Sequence, residues 1–283
     1  MKRVLVTGAN GQLGKCIQDA ALLEKDISFV FASKSQVSVA DKESIAAMFN
    51  NNTFDYCINA AAYTNVEKAE SEPEQAFAVN AEGAKYLADA CNAHDTVLIQ
   101  LSTDYVFDGK KNKPYVETDT TQPLNVYGAS KLKGELNVIE KCAKHYVVRT
   151  SWLYSQYGHN FLNTILKHAK MGNPLSITTE QTGTPTNAND LAGVLLEIVR
   201  GTDIPFGVYH FSNGGEATWY DFAKEILTQH PQLTDSKLGK TDHYPTFAKR
   251  PMYSVLNTNK IERLLKIGIE PWEESLKSVL IKF

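Results

Sequence analysis

Tyr127 and Lys131 stand four residues apart in Tyr127-Gly128-Ala129-Ser130-Lys131. On a helix that spacing puts the phenol and the ammonium on one face. A free tyrosine has a pKa of roughly 10 and exchanges protons slowly at neutral pH. A nearby ammonium favours phenolate and is expected to lower that pKa. Such a pair can give a proton to a carbonyl oxygen, or remove one in reverse. Thr103, in Leu101-Ser102-Thr103-Asp104-Tyr105, is expected at the carboxyl end of a strand. From there its hydroxyl can hydrogen-bond the same oxygen and stabilise the charge that develops on it. Tyr127, Lys131 and Thr103 are therefore the candidate catalytic residues. The spacing alone also fits an ordinary amphipathic helix, so the reading rests on what accompanies it. Gly128 weakens that helix, which points to close backbone packing there.

The accompanying feature is the glycine turn Gly8-Ala9-Asn10-Gly11-Gln12-Leu13-Gly14, between a short apolar run and a helical pattern. Glycines there let the backbone turn sharply and approach a pyrophosphate. The helix that follows offers free N–H groups and its positive dipole end. Gly8, Asn10, Gly11, Gln12 and Leu13 are accordingly expected to bind a dinucleotide, although G-x-x-G-x-x-G is one residue wider than the usual G-x-G-x-x-G. After the second apolar run comes Ser33-Lys34-Ser35, with hydroxyls and a cation where an NAD site usually offers a carboxylate. Ser33 and Lys34 thus favour NADPH, with NADH as the other candidate. Ala60, Ala61, Ala62 and Tyr63 after the third run, and Leu101 on the fourth, are expected to line the cofactor.

The elements that must hold these residues follow from the apolar pattern. Runs at 3–6, 27–31, 54–59, 96–101 and 146–150 alternate with helical stretches at 12–23, 42–49, 73–93 and 126–142. Parallel strands need crossover helices, because a tight hairpin cannot join them. The expected fold class is α/β, a doubly wound parallel sheet of the Rossmann type. Beyond residue 150 the pattern loosens, with helices near 160–170, 189–200, 219–229, 258–265 and 272–281. Short strands are expected at 175–178 and 208–211, and the proline-marked stretch 231–251 reads mostly as loop. The expected division is a dinucleotide-binding domain over 1–150 and a substrate-binding region over 151–283, packed on the sheet edge and partly interleaved with it.

The 283 residues are 43% hydrophobic and 22% charged, with a net charge of −3. Such a balance gives no support for a nucleic-acid or anionic-membrane partner. No apolar run approaches the roughly 20 residues that span a bilayer. Cys16, Cys57, Cys91 and Cys142 are widely spaced and read as buried free thiols, hence a cytoplasmic location. The seven histidines show no zinc-binding spacing, so no metal is expected, and His210 reads as a packing residue. Glu67, Glu70, Glu72 and Glu74 read as a solvated face at a helix start.

Several segments carry a family likeness: Asn59–Glu70 (NAAAYTNVEKAE), Ser102–Gly109 (STDYVFDG), Pro123–Gly128 (PLNVYG), Arg149–Trp152 (RTSW), Gln181–Thr186 (QTGTPT) and Arg250–Pro251. With them the chain resembles the extended short-chain dehydrogenases/reductases over nearly its whole length, and more narrowly the dTDP-4-dehydrorhamnose reductases. The resemblance implies reduction of the 4-keto group of a dTDP-sugar: hydride from the nicotinamide to C4, a proton from Tyr127, Lys131 on the nicotinamide ribose, and help from Thr103. It also implies that Asp104 and Trp152 contact the sugar and that Arg250 faces the diphosphate, as suits a guanidinium. Ser38 and Val39 stand where relatives place adenine contacts, without the acidic residue often found there. Some relatives dimerise through magnesium held partly by an acidic residue on the first helix. Lys15 stands at that position here, which argues against that bridge and leaves a monomer or weak homodimer.

Two other function classes fit parts of the pattern. A nucleotide-sugar dehydratase or epimerase is one, but extended dehydratases carry Thr-Asp-Glu where this chain has Thr103-Asp104-Tyr105. The other is a non-catalytic NADP-binding regulatory subunit resembling that of methionine adenosyltransferase, with which Thr103, Tyr127 and Lys131 are also compatible.

Overall fold

A computed structural model describes residues 1–201, 204–230, 233, 237–242 and 245–283. The apolar runs form the strands β1 (Lys2–Thr7), β2 (Ile27–Ala32), β3 (Tyr56–Asn59), β4 (Val97–Thr103) and β5 (His145–Thr150). Between them lie α1 (Gln12–Ala21), α2 (Lys42–Asn50), α3 (Val66–Ser71), α4 (Pro73–Phe77), α5 (Gly83–Ala93) and α6 (Val126–Lys141). The sheet is parallel throughout, in the order strand Gly207–His210, β5, β4, β3, β1, β2. The chain reverses direction between β1 and β3, which opens a crevice at their carboxyl ends.

Both faces of the sheet are covered, and the strands show it. Val4, Leu5 and Val6 are all fully buried although they point to alternate sides. Val4 and Val6 pack with α1 and the helix Ala188–Gly201, while Leu5 packs with α2, α5 and α6. The helix Ala188–Gly201 and the strand Gly207–His210 thus join the Rossmann layers from beyond residue 150. A separate cluster around Tyr154, Leu162, Phe222, Trp272 and Leu276 forms the core of the remaining C-terminal part.

Two expectations change. The stretch 231–251 is not all loop, since Leu238–Thr241 pairs in parallel with Leu175–Thr178; residues 231–232, 234–236 and 243–244 of that stretch lie outside those described. The helix expected over 73–93 is interrupted by a π turn, Ala78–Glu82, an irregularity common beside functional sites. The four cysteines are buried and free, as their spacing implied.

Candidate active site

The glycine turn lies at the β1/β3 crevice, packed against the segment that follows β3. Gly8 has φ +69°, and a Cβ on it would lie 2.6 Å from the Ala61 nitrogen, so only glycine fits. Gly11 starts α1 in an extended conformation with no side-chain cap, which leaves the first-turn N–H groups of Gln12 and Leu13 without a side-chain partner. Asn10 and Gly11 are exposed on the rim. Gln12 also reaches the C-terminal part, where its Oε1 accepts Asn160 Nδ2–H at 2.8 Å. Lys15, also on α1, lies over the ring of Tyr157 from the loop before Asn160.

At the end of β2, Ser33 Oγ is bound to Gln36 Oε1 at 2.8 Å. Lys34 is exposed and has no hydrogen bond or ion pair among the described residues. Ser38 is half-buried, and Val39 is buried beneath Gly83. Ala60, Ala61 and Ala62 are half-buried, and the backbone of Ala60 and Ala61 forms a ledge against Gly8. Tyr63 is clamped by Asn80 of the π turn, which accepts its N–H at 2.9 Å and donates to its carbonyl at 3.0 Å. Asn80 Nδ2 also donates to Ser130, next to Lys131. The π turn therefore ties the segment after β3 to α6.

Asn125 caps α6 by accepting the Gly128 N–H at 2.8 Å, and it holds the Lys249 carbonyl with its amide. This fixes Tyr127 and Lys131 on the side of α6 that faces β4. Lys131 is 4% exposed and donates to the Leu101 carbonyl at 2.6 Å. Burial lowers its pKa to about 8, and Glu135 one turn on partly restores it. Glu135 is itself gripped by Arg149 Nη2 at 2.7 Å in a buried ion pair. The Leu101 carbonyl also ends a buried side-chain ladder across the strand ends, Thr7 to Asn59 at 2.7 Å, Asn59 to Gln100 at 2.8 Å and Gln100 to Leu101 at 2.9 Å. Lys131 is thereby locked to the sheet edge.

Thr103 lies beside Tyr127, and its side chain pulls the phenol pKa down; burial pulls harder and raises it to about 12, with Asp104 adding to the rise. The sequence predicts that Lys131, together with the positive nicotinamide of an oxidised cofactor, lowers this pKa. In the structure desolvation dominates, and the ammonium is turned to Leu101. Tyr127 is therefore a neutral phenol, the state a proton donor needs. Asp104 is 2% exposed, its Oδ1 lies 3.0 Å from Thr103 Oγ1, and its Oδ2 has no hydrogen-bond partner among the described residues.

The opposite wall comes from the C-terminal half. Trp152, just past β5, has φ +43°, a strained conformation for a bulky residue. Its ring stacks on Trp219 at 3.6 Å with planes 4° apart, and Trp219 Nε1 donates to Gln181 at 3.0 Å. Arg250 donates to Glu67 at 2.8 Å, while its buried Nε has no partner among the described residues. Glu67 also accepts the Phe247 N–H at 2.8 Å, and Glu70 accepts the Val126 N–H at 2.7 Å. The acidic cluster is thus not simply a solvated face. It straps α3 to the Arg250 loop and to the start of α6, because unpaired backbone N–H groups there need acceptors.

The structure gathers Thr103, Asp104, Tyr127 and Lys131 at one sheet edge, with Gly8 and the alanine ledge on the neighbouring strands. His210 is fully buried, bonds the Tyr115 carbonyl at 3.1 Å and takes no part in this group. Asn80, Gln100 and Trp219 were not marked from sequence, and Asn59 and Gln181 only as members of the family-like segments. The π turn that aims Asn80, and the folding that brings Trp219 to Trp152, leave no local pattern. Among the described residues no cluster of metal-binding side chains occurs, and no helix is long and apolar enough to cross a membrane.

A profile of the family described as RmlD substrate binding domain matches residues 1–283. The chain is 38% identical over 288 residues to the dTDP-4-dehydrorhamnose reductase of Sinorhizobium fredii, covering 98% of this chain and 96% of that protein. It resembles the crystal structure of a dTDP-4-dehydrorhamnose reductase from Clostridium acetobutylicum with a TM-score of 0.93 and 36% identity, over 99% of this chain and 100% of the other. The same enzyme from Bacillus anthracis, in complex with NADP, superposes with a TM-score of 0.94 at 34% identity, over 100% and 99% of the two chains.

Proposed function

We propose, for a chain that belongs to the RmlD substrate binding domain family of dTDP-4-dehydrorhamnose reductases, that it reduces the 4-keto group of dTDP-4-dehydro-L-rhamnose to give dTDP-L-rhamnose. The observation that carries the reading is the meeting of Tyr127, Thr103 and Lys131 at the sheet edge, between the glycine cradle and the Trp152–Trp219 wall.

The residues fit a nicotinamide dinucleotide. A Cβ at Gly8 would fill the cradle, the first turn of α1 has no side-chain cap, and Lys34 is free to meet a 2′-phosphate. NADPH is favoured on that ground, in line with the NADP bound by the Bacillus anthracis relative, and NADH fits the same cradle. Bound there, the reduced cofactor would supply hydride to C4 of the sugar.

The chain's own residues do the rest. Tyr127, kept neutral by burial, donates its proton to O4 as the oxygen gains charge. Thr103 adds a hydrogen bond to that oxygen. Lys131, held to the Leu101 carbonyl, would have its remaining N–H groups for the nicotinamide ribose. Trp152 and Asp104 bound the sugar, and Arg250 offers its free Nε–H to the diphosphate.

Removing the phenol tests the reading. Tyr127→Phe should lower kcat by roughly 10²- to 10⁴-fold while NADPH binding, followed by cofactor fluorescence, is retained. A variant that keeps the wild-type kcat would remove Tyr127 from the chemistry. Wild-type protein that binds NADPH but reduces no nucleotide sugar would favour the regulatory class.

A further inference from the structure

The Thr103 hydroxyl has one proton to give and two lone pairs to fill. One lone pair takes the Tyr105 N–H at 3.2 Å, and its contact with Asp104 Oδ1 spans 3.0 Å. If Asp104 is ionised, Thr103 must donate to it, and no proton remains for Tyr127 or a carbonyl oxygen. If Asp104 is neutral, the direction reverses. The carboxyl then fills the second lone pair, and the threonine's proton faces outward.

The surroundings favour the neutral form. Asp104 is 2% exposed, and its Oδ2 has no hydrogen-bond partner among the described residues. A buried carboxylate with an unpaired oxygen is costly. The groups around it are Tyr105 on its own turn, Tyr127 from α6 and Ser254 from the C-terminal part. Arg250 acts on neighbouring Tyr105 but is held by Glu67, and Lys131 is held by Leu101, so neither cation forms an ion pair with Asp104. Burial raises the Asp104 pKa to about 7, against the pull of the Ser254 and Thr103 hydroxyls and of the Asp104 and Tyr105 backbone N–H groups.

On the functional reading above, we propose that Asp104 is a positioning residue that works as a neutral carboxylic acid. It donates to Thr103 Oγ1 and so turns the threonine's proton toward Tyr127 and the substrate's carbonyl oxygen. No proton is transferred in this step; only the direction of a hydrogen bond is set.

Two measurements test it. Infrared difference spectra of the full chain without substrate should show a protonated-carboxyl C=O band that titrates away near neutrality and is missing in Asp104→Asn. In turnover, kcat/KM should fall by roughly tenfold for each pH unit above that titration. Asp104→Asn, whose amide is a permanent donor to Thr103, should lose this alkaline fall. Thr103→Val should lose it too, since no hydroxyl is left to orient, and this variant decides the matter if the Asp104 variant fails to fold. A band absent at mildly acid pH, or an alkaline fall whose midpoint in the variants stays at the Asp104 titration instead of moving up toward that of Lys131 near 8, overturns the proposal. If no form reduces the dTDP-sugar, the functional reading falls and the infrared titration alone decides the state of Asp104.

Discussion

Gly128 is the point where a single added methyl should separate catalysis from stability. An alanine Cβ there would lie 2.2 Å from the Tyr105 carbonyl oxygen and 3.1 Å from Pro123 Cβ. Ordinary C···O contact needs about 3.3 Å, so the start of α6 and the Tyr105 turn must part by about 1 Å. That gap opens between Tyr127, adjacent to Gly128, and Thr103, two residues before Tyr105. A misplacement of about 1 Å at reacting groups costs on the order of 100-fold in rate. Overpacking costs about 1–3 kcal/mol, offset by about 1 kcal/mol of improved helix propensity. Gly128→Ala should therefore lose roughly 100-fold in single-turnover NADPH oxidation while its thermal midpoint falls by only a few degrees. Ala129→Gly, on the same turn, provides the control, with a comparable stability loss and little loss of rate. A Gly128→Ala enzyme within a few-fold of wild-type kcat would refute the close-approach argument.

Two further outcomes are expected. Lys34→Glu should reverse the preference for NADPH over NADH, read as the ratio of the two KM values; an unchanged ratio would show that Lys34 is only a solvated lysine. His210 is buried beside Arg149, and its pKa falls to about 3 through loss of water and that guanidinium. Its folded value lies below the ordinary one near 6.5, so its contribution to stability is present above about pH 6.5 and is lost as pH falls toward 3. The loss is on the order of 4–5 kcal/mol. In urea unfolding, the stability difference between wild type and His210→Gln should shrink over that range, and a constant difference would contradict the assignment.

Much of the fold was legible because covered strands leave unbroken apolar runs such as Val4-Leu5-Val6, and crossover helices leave their own period. The glycine turn was legible because the Gly8 conformation tolerates little else. The pair Tyr127 and Lys131 could be read because one helix sets their spacing. What escaped depends on contacts between distant segments. The ladder from Thr7 through Asn59 and Gln100 to Leu101 joins three strand ends, and nothing in any one strand announces it. Glu67 looked like surface charge until the loop carrying Phe247 and Arg250 came to rest on it. The balance of forces on the Tyr127 phenol within the chain was hidden for a similar reason. Sequence shows that a lysine is near, but not that the phenol is dehydrated and the ammonium engaged elsewhere.

The central claim is tested most directly by supplying dTDP-4-dehydro-L-rhamnose and NADPH to the purified chain and following the loss of nicotinamide absorbance, with the product identified by NMR. The expected result is stoichiometric NADPH oxidation with formation of dTDP-L-rhamnose, and near-complete loss of both in Tyr127→Phe. NADPH that binds but is not consumed in the presence of that sugar nucleotide would contradict it.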